Sequence, residues 1–296
     1  MKILFTGITG LLGSYFLEEK RKKHSISGTY SSNKVDYAGV DLFKLNVRNK
    51  KKVLELIKKI RPQVVVHAAS IGNVDYCEKH SKEAHEVNVE GTKNVLEGCI
   101  NVGAKIIFIS SNAVYNGKKP PYNEKSTKIP LDVYGKTKQK AEEAVINSGV
   151  PYIIIRLMTM YGWQPKGARV NPATWVIEQL TNKNPIKVVE DIYNNHLWAG
   201  QAADVLWKII EKNKNEEIYN VAGSDCISRY ELALKVADVF SLDASLISPV
   251  KNSFFKSLAP RPKNSCFDTT KIRNKLGIKP FSVAEGLKEM KNGKKA

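Results

Sequence analysis

The sequence is poor in cysteine and has no cysteine motif. Its 296 residues include four cysteines, which lie far apart and form no C-x-x-C pair: Cys77, Cys99, Cys226 and Cys266. No histidine cluster has the spacing of metal ligands either. The pattern indicates neither a zinc site nor a disulfide framework, so we expect buried reduced thiols and no bound metal.

Long apolar runs are also missing. No stretch approaches the roughly 18 apolar residues of a membrane-spanning helix. A first strand pattern begins within five residues of Met1, which leaves no room for a basic and then apolar leader. We therefore expect a soluble cytoplasmic protein without a membrane partner.

Acidic residues are in deficit, and the excess of basic residues is mostly lysine. The 47 Lys and Arg residues against 29 Asp and Glu give a formal charge of +18, and only eight of the 47 are arginines. The lysines are scattered through predicted helices and form no basic block interleaved with aromatics. This favours a lysine-rich surface that attracts anionic ligands, and we expect no nucleic-acid partner.

The first half of the chain alternates short apolar runs with segments of helical periodicity, which is typical of a doubly wound parallel sheet. Predicted strands cover residues 2–5, 25–30, 63–67, 105–110 and 152–157, and predicted helices cover 12–22, 49–60, 81–101 and 133–148. The expected fold class is α/β, with a Rossmann-type doubly wound parallel sheet and a smaller α+β substrate-binding lobe.

After residue 160 the regular alternation of predicted strands and helices ends, but signals for the starts of helices remain. Asn171 followed by Pro172 predicts a helix towards residue 180. Capping boxes begin at Ser228 and at Ser282. We predict a dinucleotide-binding domain over residues 1–160, including about 190–212, and a mainly substrate-binding lobe over 161–296.

A glycine-rich turn follows the first predicted strand. The G-x-x-G-x-x-G spacing, placed between an apolar strand and a helical pattern, is typical of a backbone cradle for a pyrophosphate at a helix N-terminus. Glycine permits the tight turn and the close approach of the ligand. The predicted cradle residues are Gly7, Thr9, Gly10, Leu11, Leu12 and Gly13.

A tyrosine and a lysine four residues apart lie in a later predicted helix. At that spacing Tyr134 and Lys138 share one helix face, and a neighbouring ammonium would favour the phenolate of the tyrosine. The strand before this helix ends in Ser110, Ser111 and Asn112, at the edge of a parallel sheet where ligands bind. Together these patterns predict a dinucleotide-dependent redox enzyme.

The end of the second predicted strand bears on the choice of cofactor. An acidic residue there binds the ribose 2′-hydroxyl of NAD, whereas a 2′-phosphate requires its absence. The segment contains no acid before Asp36, and the expected ligands of a 2′-phosphate are Tyr30, Ser31, Ser32 and Lys34. NADPH is therefore favoured, with NADH as the alternative that an ordinary polar loop would tolerate.

An ordered series of motifs covering nearly the whole chain resembles the extended short-chain dehydrogenase/reductase family. Within it the chain is similar to the dTDP-4-dehydrorhamnose reductase family. The motifs are Arg61-Pro62-Gln63-Val64-Val65-Val66-His67-Ala68-Ala69, Asn73-Val74-Asp75-Tyr76-Cys77-Glu78, Val87-Asn88-Val89-Glu90-Gly91-Thr92, Val133-Tyr134-Gly135-Lys136-Thr137-Lys138 and Arg261-Pro262-Lys263-Asn264-Ser265.

The resemblance implies roles for individual residues. Ser111 would polarise the substrate carbonyl, Tyr134 would donate the proton, and Lys138 would lower the pKa of the tyrosine and hold the nicotinamide ribose. The family's loop beneath the pyrophosphate corresponds to His67, Ala68 and Ala69, and its adenine contact to Asn46 and Val47. The candidate substrate-binding residues are Ser111, Asn112, Arg169 and Arg261; the segment from Arg169 to Trp175 has no clear counterpart in the family, and Arg261 would approach the diphosphate or anchor a closing loop.

The resemblance implies NADPH-dependent reduction of a nucleoside-diphosphate 4-keto-6-deoxysugar, and it permits a homodimer. Sibling dehydratases carry an Asp-Glu pair where this chain has Asn112-Ala113, and sibling epimerases keep an acid at the second strand end. From another class, the methionine adenosyltransferase regulatory subunit shares the fold and binds NADP mainly as a partner protein. The sequence leaves the sugar and its nucleotide base open.

Overall fold

A parallel sheet with helices on both faces lies at the centre of the computed structural model, which describes residues 1–19, 23–212, 214–256 and 259–293. The strands of these residues are β1 (Lys2–Thr6), β2 (Ser25–Tyr30), β3 (Asp41–Lys44), β4 (Val64–His67), β5 (Lys105–Ser111), β6 (Tyr152–Leu157), β7 (Met160–Tyr161), β8 (Ile186–Val189), β9 (Tyr193–Asn194), β10 (Leu197–Trp198), β11 (Glu217–Val221), β12 (Ile227–Ser228) and β13 (Ile247–Val250).

The described helices alternate with the strands over the first half of the chain. They are α1 (Leu11–Glu19), α2 (Lys50–Ile60), α3 (Val74–Lys79), α4 (Ser81–His85), α5 (Gly91–Val102), α6 (Val133–Ile146), α7 (Pro172–Thr181), α8 (Ala199–Lys212), α9 (Arg229–Phe240), α10 (Thr270–Leu276) and α11 (Val283–Asn292).

The central sheet has seven parallel strands in the order β11-β6-β5-β4-β1-β2-β3. The chain moves outward in one direction through β1, β2 and β3, and in the other through β4, β5 and β6. The direction reverses between β1 and β4, which makes this the point where ligands bind in open α/β sheets. The predicted fold class is confirmed.

Alternating side chains along each central strand build two cores. In β1, Ile3 and Phe5 belong to the core that contains Phe16 and Trp207, whereas Leu4 belongs to the core on the opposite face. Both faces are apolar because helices cover both, as a parallel sheet requires. The rings of Phe16 in α1 and Trp207 in α8 stack with centroids 4.2 Å apart, which fixes α8 to the sheet.

A third core holds the smaller lobe together. It is formed by α7, α9 and α11 with the two-stranded β8–β13 sheet. The side chains of Asn171, Ser228 and Ser282 cap these helices in capping boxes, which confirms the predicted helix starts. The division into two domains stays a prediction, although β11, from beyond residue 160, joins the central sheet.

Several elements differ from the sequence-based expectation. The short edge strand β3 and the strand β11 were not predicted. The expected helix over 81–101 is divided, because residues 86–90 form a π-helical segment between α4 and α5. Of the expected helix over 12–22, residues 20–22 lie outside the described ranges.

The expectation of four reduced cysteines was wrong for two of them. Cys226 and Cys266 form a disulfide with their Cα atoms 5.8 Å apart. Strand β9 brings them together, because β12 pairs with β9 on one side and Asn264 bridges to Tyr193 of β9. Sequence spacing carries no sign of that tertiary contact. Cys77 and Cys99 are free and buried.

Candidate active site

The glycine-rich turn connects β1 to α1 at the carboxyl edge of the sheet. Gly7 has φ of 75°, a conformation that glycine adopts readily, and its N–H donates to the Thr29 carbonyl at 3.0 Å. A Cβ added at Gly7 would lie 3.0 Å from the Ala69 nitrogen. Glycine thus lets the turn lie against the Ala69 backbone just before the α1 N-terminus, whose first N–H groups have no intrahelical acceptor.

Gly13 allows the first turn of α1 to pack against the preceding loop. A Cβ there would overlap the Ile8 carbonyl group. Leu12 is 6% exposed and belongs to the core, so its backbone alone faces the turn. The structure brings together all the predicted cradle residues, namely Gly7, Thr9, Gly10, Leu11, Leu12 and Gly13.

The end of β2 is polar and carries a compact ion pair. Tyr30 ends the strand, and the exposed residues Ser31 and Ser32 follow it. The Lys34 ammonium lies 2.8 Å from the Asp36 carboxylate, and both side chains are exposed. The lysine is thus close to the end of β2, but its charge is balanced by its neighbour.

The two residues expected near adenine differ in accessibility. Asn46 is exposed, and its Oδ1 accepts a hydrogen bond from the Arg48 N–H at 3.0 Å. Val47 is 5% exposed, and its carbonyl accepts from Asn94 Nδ2 at 2.9 Å. Asn46 is therefore the member of the pair whose side chain a ligand can reach.

The side chain of His67 is enclosed at the end of β4. Its Nδ1 lies 2.7 Å from Thr6 Oγ1 and its Nε2 lies 3.1 Å from Thr92 Oγ1. Burial lowers the pKa of His67 to about 3, so the ring is neutral. Thr6 Oγ1 in turn accepts from the Ala69 N–H at 3.3 Å, which fixes the path of Ala68 and Ala69 beside the glycine turn.

Strand β5 ends in two serines with different surroundings. Ser110 Oγ donates to Glu142 Oε1 at 2.6 Å, inside a buried ion pair in which Arg156 Nη2 lies 2.8 Å from Glu142 Oε2. Ser111 Oγ accepts from the Ala113 N–H at 3.2 Å. Because neighbouring strand residues point to opposite faces, only one hydroxyl is directed to the site. That hydroxyl is Ser111.

Tyr134 lies in the first turn of α6. The helix begins where Asp132 Oδ1 accepts from the Gly135 N–H at 2.7 Å. Burial raises the pKa of Tyr134 to about 12, while a hydrogen bond with Ser111 opposes the rise. The phenol is therefore protonated at neutral pH and next to the Ser111 hydroxyl.

Lys138 follows one turn later and is 3% exposed. Its Nζ donates to the Ile109 carbonyl at 2.6 Å and lies 4.2 Å from the centroid of the Phe108 ring. Burial lowers the pKa of Lys138 to about 7, against the opposing charge of Glu142. The expected lowering of the Tyr134 pKa is not seen, because burial dominates for the phenol and the ammonium is bonded to Ile109.

A chain of polar side chains extends from Ser111 to the smaller lobe. Ser111 Oγ lies 3.3 Å from Asn112 Oδ1, and Asn112 Nδ2 donates to Ser265 Oγ at 2.9 Å. Ser265 Oγ donates to Asn194 Oδ1 at 2.7 Å. Asn112 is thus held by Ser265, a residue from a distant part of the chain, and Ser265 is in turn held by Asn194.

Comparison with known proteins assigns the chain to a family. Residues 1–295 match the family described as RmlD substrate binding domain. The chain belongs to the RmlD substrate-binding domain family. The resemblance to dTDP-4-dehydrorhamnose reductases and the extended short-chain dehydrogenase/reductase fold are thereby confirmed.

The relatives of this chain include proteins with different activities in their names. It is 29% identical over 301 residues to the dTDP-4-dehydrorhamnose reductase of Aggregatibacter actinomycetemcomitans, covering 98% of each protein. It is 30% identical over 300 residues to methionine adenosyltransferase 2 subunit beta of Xenopus laevis, covering 97% of this chain and 86% of that protein. The dTDP-4-dehydrorhamnose reductase of Bacillus anthracis, solved in complex with NADP, superposes with a TM-score of 0.86 at 26% identity, covering 98% of each chain.

Three arginines of this RmlD-family chain converge on one side of the site. Arg169 Nη1 donates to the Gly72 carbonyl at 2.8 Å, and Arg261 Nη2 lies 2.7 Å from Asp75 Oδ2. Partial desolvation of the Arg229 guanidinium lowers its pKa, and the charges of Arg261 and Arg169 lower it further, whereas the Asp75 carboxylate opposes the change and the residue as a whole is exposed. The charges of Arg261 and Arg169 therefore lie within electrostatic range of Arg229.

Sequence reasoning missed Arg229. No hydrogen bond or ion pair joins its guanidinium to another residue of the described ranges. The neighbouring His196 adds no charge, because burial and Arg229 lower its pKa to about 3. The position of Arg229 directly after the helix cap Ser228 gave no sign of this role, because the other two arginines come from distant segments of the chain.

The described residues contain neither a candidate metal centre nor a helix that could span a membrane. No group of three or more His, Cys, Asp or Glu side chains there could hold a metal ion. No helix within the same ranges is long and apolar enough to cross a membrane.

Proposed function

We propose that this chain catalyses the NADPH-dependent reduction of a nucleoside-diphosphate 4-keto-6-deoxysugar. The observation that carries the proposal is the position of Ser111, Tyr134 and Lys138 at the carboxyl end of β5, close to the glycine turn after β1. Tyr134 would be the proton donor, Ser111 would donate a hydrogen bond from its hydroxyl, and the glycine turn would hold the dinucleotide.

The residues of the cradle fit a dinucleotide. Gly7 lets the turn lie against the Ala69 backbone, and the N-terminus of α1 that follows the turn offers N–H groups to a pyrophosphate. The absence of an acid at the end of β2 favours a 2′-phosphate, and the NADP complex of the Bacillus anthracis relative supports the same choice. When bound, the reduced nicotinamide supplies a hydride to the carbonyl carbon.

Tyr134 donates the matching proton to the carbonyl oxygen. Its raised pKa keeps the phenol protonated at neutral pH, and an alkoxide is a far stronger base than a phenolate, so the transfer is downhill. Ser111 donates a hydrogen bond to the same oxygen as negative charge develops. One hydride and one proton convert the ketone to an alcohol, and water restores the Tyr134 proton.

The three arginines support a diphosphate-bearing substrate. A guanidinium can bind two phosphate oxygens at once, and the exposed Arg229 forms no hydrogen bond or ion pair with another residue of the described ranges. Binding of a dianionic diphosphate would relieve the mutual repulsion among Arg169, Arg229 and Arg261. A free keto-sugar provides no such anion, so we expect it to bind weakly.

A second candidate function is that of a subunit of a methionine adenosyltransferase. The 30% identity to methionine adenosyltransferase 2 subunit beta over 97% of this chain supports it. Retention of the serine, tyrosine and lysine in reach of the cradle favours catalysis.

The test is the oxidation of NADPH by the purified protein with a panel of nucleoside-diphosphate 4-keto-6-deoxysugars and with the corresponding free sugars. We expect turnover with at least one nucleotide sugar and none with free sugars. No oxidation with any of them, together with stable association with a methionine adenosyltransferase catalytic subunit, would establish the second candidate instead. Equal turnover of free and nucleotide-linked sugar would contradict the role of the arginines.

A further inference from the structure

Residues 164–170 form a loop, here called the strap, that is closed at its base. Asn171 Nδ2 donates to the Gly162 carbonyl and to Gln164 Oε1, each at 2.7 Å. On the same side, the Trp163 N–H donates to the Tyr15 hydroxyl at 2.9 Å. Both ends of the strap are therefore fixed to the body of the protein, next to α1.

The strap contacts the carboxyl ends of two strands. Asn33, just beyond β2, donates through Nδ2 to the Lys166 carbonyl at 2.8 Å. A Cβ at Gly167 would lie 2.9 Å from Asn33 Oδ1, and Gly167 has φ of 77°, so glycine permits this close contact. At the other end, Arg169 Nη1 donates to the carbonyl of Gly72, just beyond β4, at 2.8 Å.

The order of the strands shows what lies beneath the strap. Because β1 lies between β4 and β2, a segment that contacts the ends of both must cross the end of β1. Neighbouring strands are about 4.8 Å apart, so the crossing spans roughly 10 Å, which three residues and an arginine side chain can cover. The strap therefore passes over the glycine turn that begins at Gly7.

Near the end of β2 the described residues include one lysine paired with an acid and, on the strap, one that is not. Lys34 is paired with Asp36 at 2.8 Å, so the two side chains together carry no net charge, and the carboxylate would repel a phosphate. Ser31 and Ser32 are neutral. Lys166 is exposed, and no acidic side chain in the described ranges forms an ion pair with it.

We propose that Lys166 determines the preference for the phosphorylated cofactor by binding the 2′-phosphate of NADPH from the strap. The hydrogen bond from Asn33 brings the Lys166 backbone to the end of β2, where the ribose of a dinucleotide lies in such sheets. A specificity residue for the cofactor is thus contributed from beyond the dinucleotide-binding half of the chain. The inference rests on the proposed use of NADPH.

The test compares dissociation constants for NADPH and NADH, measured by calorimetry without any sugar substrate. Lys166→Ala should weaken NADPH about tenfold, the loss expected for one charge-assisted hydrogen bond, and leave NADH within about twofold. Lys166→Glu should weaken NADPH further, and Lys166→Arg should retain the preference. The salt dependence of NADPH binding should be smaller in Lys166→Ala than in the parent.

Lys58→Glu is the matched control. Lys58 is exposed in the last turn of α2, at the opposite edge of the sheet, so this variant changes net charge equally without touching the site. Both affinities should remain those of the parent. Lys166 is also exposed, so thermal midpoints should be unchanged in every variant.

Two failures are distinguishable. Equal NADPH and NADH constants in the parent would overturn the cofactor part of the proposed function. A parent that prefers NADPH and keeps the same ratio in Lys166→Ala and Lys166→Glu would overturn the role of Lys166 alone, and a loss confined to Lys34→Ala would assign the 2′-phosphate to Lys34.

Discussion

Asn112 donates a hydrogen bond from Nδ2 to Ser265 Oγ at 2.9 Å, although 153 residues separate the two in sequence. Asn112 is the next residue after Ser111, and its other amide atom lies 3.3 Å from the Ser111 hydroxyl. A residue of the smaller lobe thereby fixes the amide that contacts the proposed carbonyl-binding hydroxyl. The disulfide at Cys266 holds the loop on which Ser265 lies.

Ser265→Ala should reduce turnover about tenfold, as expected for one neutral hydrogen bond, and leave NADPH affinity unchanged. The reason is that Asn112 could then rotate and cease to orient Ser111. Ser265→Thr keeps a hydroxyl and should restore most of the turnover. Ser224→Ala is the control, since Ser224 bonds to Asp225 and contacts no residue of this chain of hydrogen bonds. Steady-state kcat and KM on an identified nucleotide sugar decide the matter, and an unaltered kcat in Ser265→Ala would rule out the positioning role.

Tyr134→Phe removes the transferable proton and keeps the ring. Turnover should fall on the order of 100-fold or more, as for the loss of a positioned general acid, while the NADPH dissociation constant stays nearly the same. Ser111→Ala, which loses a hydrogen bond to the carbonyl oxygen, should also lower kcat more than it changes cofactor binding. Parental turnover in Tyr134→Phe would show that another group is the acid.

The affinity for NADPH should fall as pH rises through about 7. Burial lowers the pKa of Lys138 to about 7, so its ammonium loses a proton over this range in the free protein. If the charged form of Lys138 holds the ribose, NADPH binding above that pH must be accompanied by the uptake of a proton. Calorimetry in buffers of different ionisation enthalpy should detect proton uptake at pH 8, and Lys138→Met should abolish both the uptake and the pH dependence. A pH-independent affinity in the parent between 6 and 9 would contradict this role.

Arg156→Met should destabilise the fold by about 3–5 kcal/mol, because it removes the main partner of a fully buried carboxylate. Burial alone would raise the pKa of Glu142, but the hydrogen bonds and charge of Arg156 lower it overall. The stability that Glu142 contributes is thus present above its unfolded pKa and lost as pH falls through the folded value. In Arg156→Met that loss should begin at higher pH.

Urea unfolding measures this effect. Lys271→Met is the matched control, since Lys271 pairs with Glu217 where both side chains are 26% exposed, and it should cost about 1 kcal/mol or less. If Arg156→Met and Lys271→Met lost the same free energy of unfolding, burial of the Glu142–Arg156 pair would not make its disruption more destabilising than that of an exposed pair.

Local sequence patterns predicted the parts of the fold that local interactions decide. The bounds of β2 and β6 match the prediction: β6 is largely an apolar run, and β2, although rich in serine and threonine, is buried on both faces along its centre. Strand β3 was missed since it is a short edge strand with exposed ends, and β11 since its first two residues are only half-buried. The π-helical segment at 86–90 has the same apolar spacing as an ordinary helix and gave no separate signal.

The residues of the candidate site can also be divided into those that local patterns predict and those that depend on tertiary contacts. Ser111, Tyr134 and Lys138 were recognisable because a strand end and a four-residue spacing are local features; Ser111 and Tyr134 lie within hydrogen-bond reach of each other, and Lys138 follows one turn along α6. Arg229, Ser265 and the Cys226–Cys266 disulfide depend on contacts between distant segments, and no spacing rule reports them.

The position of β11 at the outer edge of the sheet bears on how the protein is made. β11 is the partner of β6, and Trp207 of the preceding helix covers Phe16 of α1. A nascent chain therefore exposes the edge of β6 and an apolar face of the sheet until residue 221 has left the ribosome, about three quarters of the way through 296 residues. During that interval an unpaired strand edge can join another chain, so synthesis of this protein depends on the delay between translating β6 and translating β11.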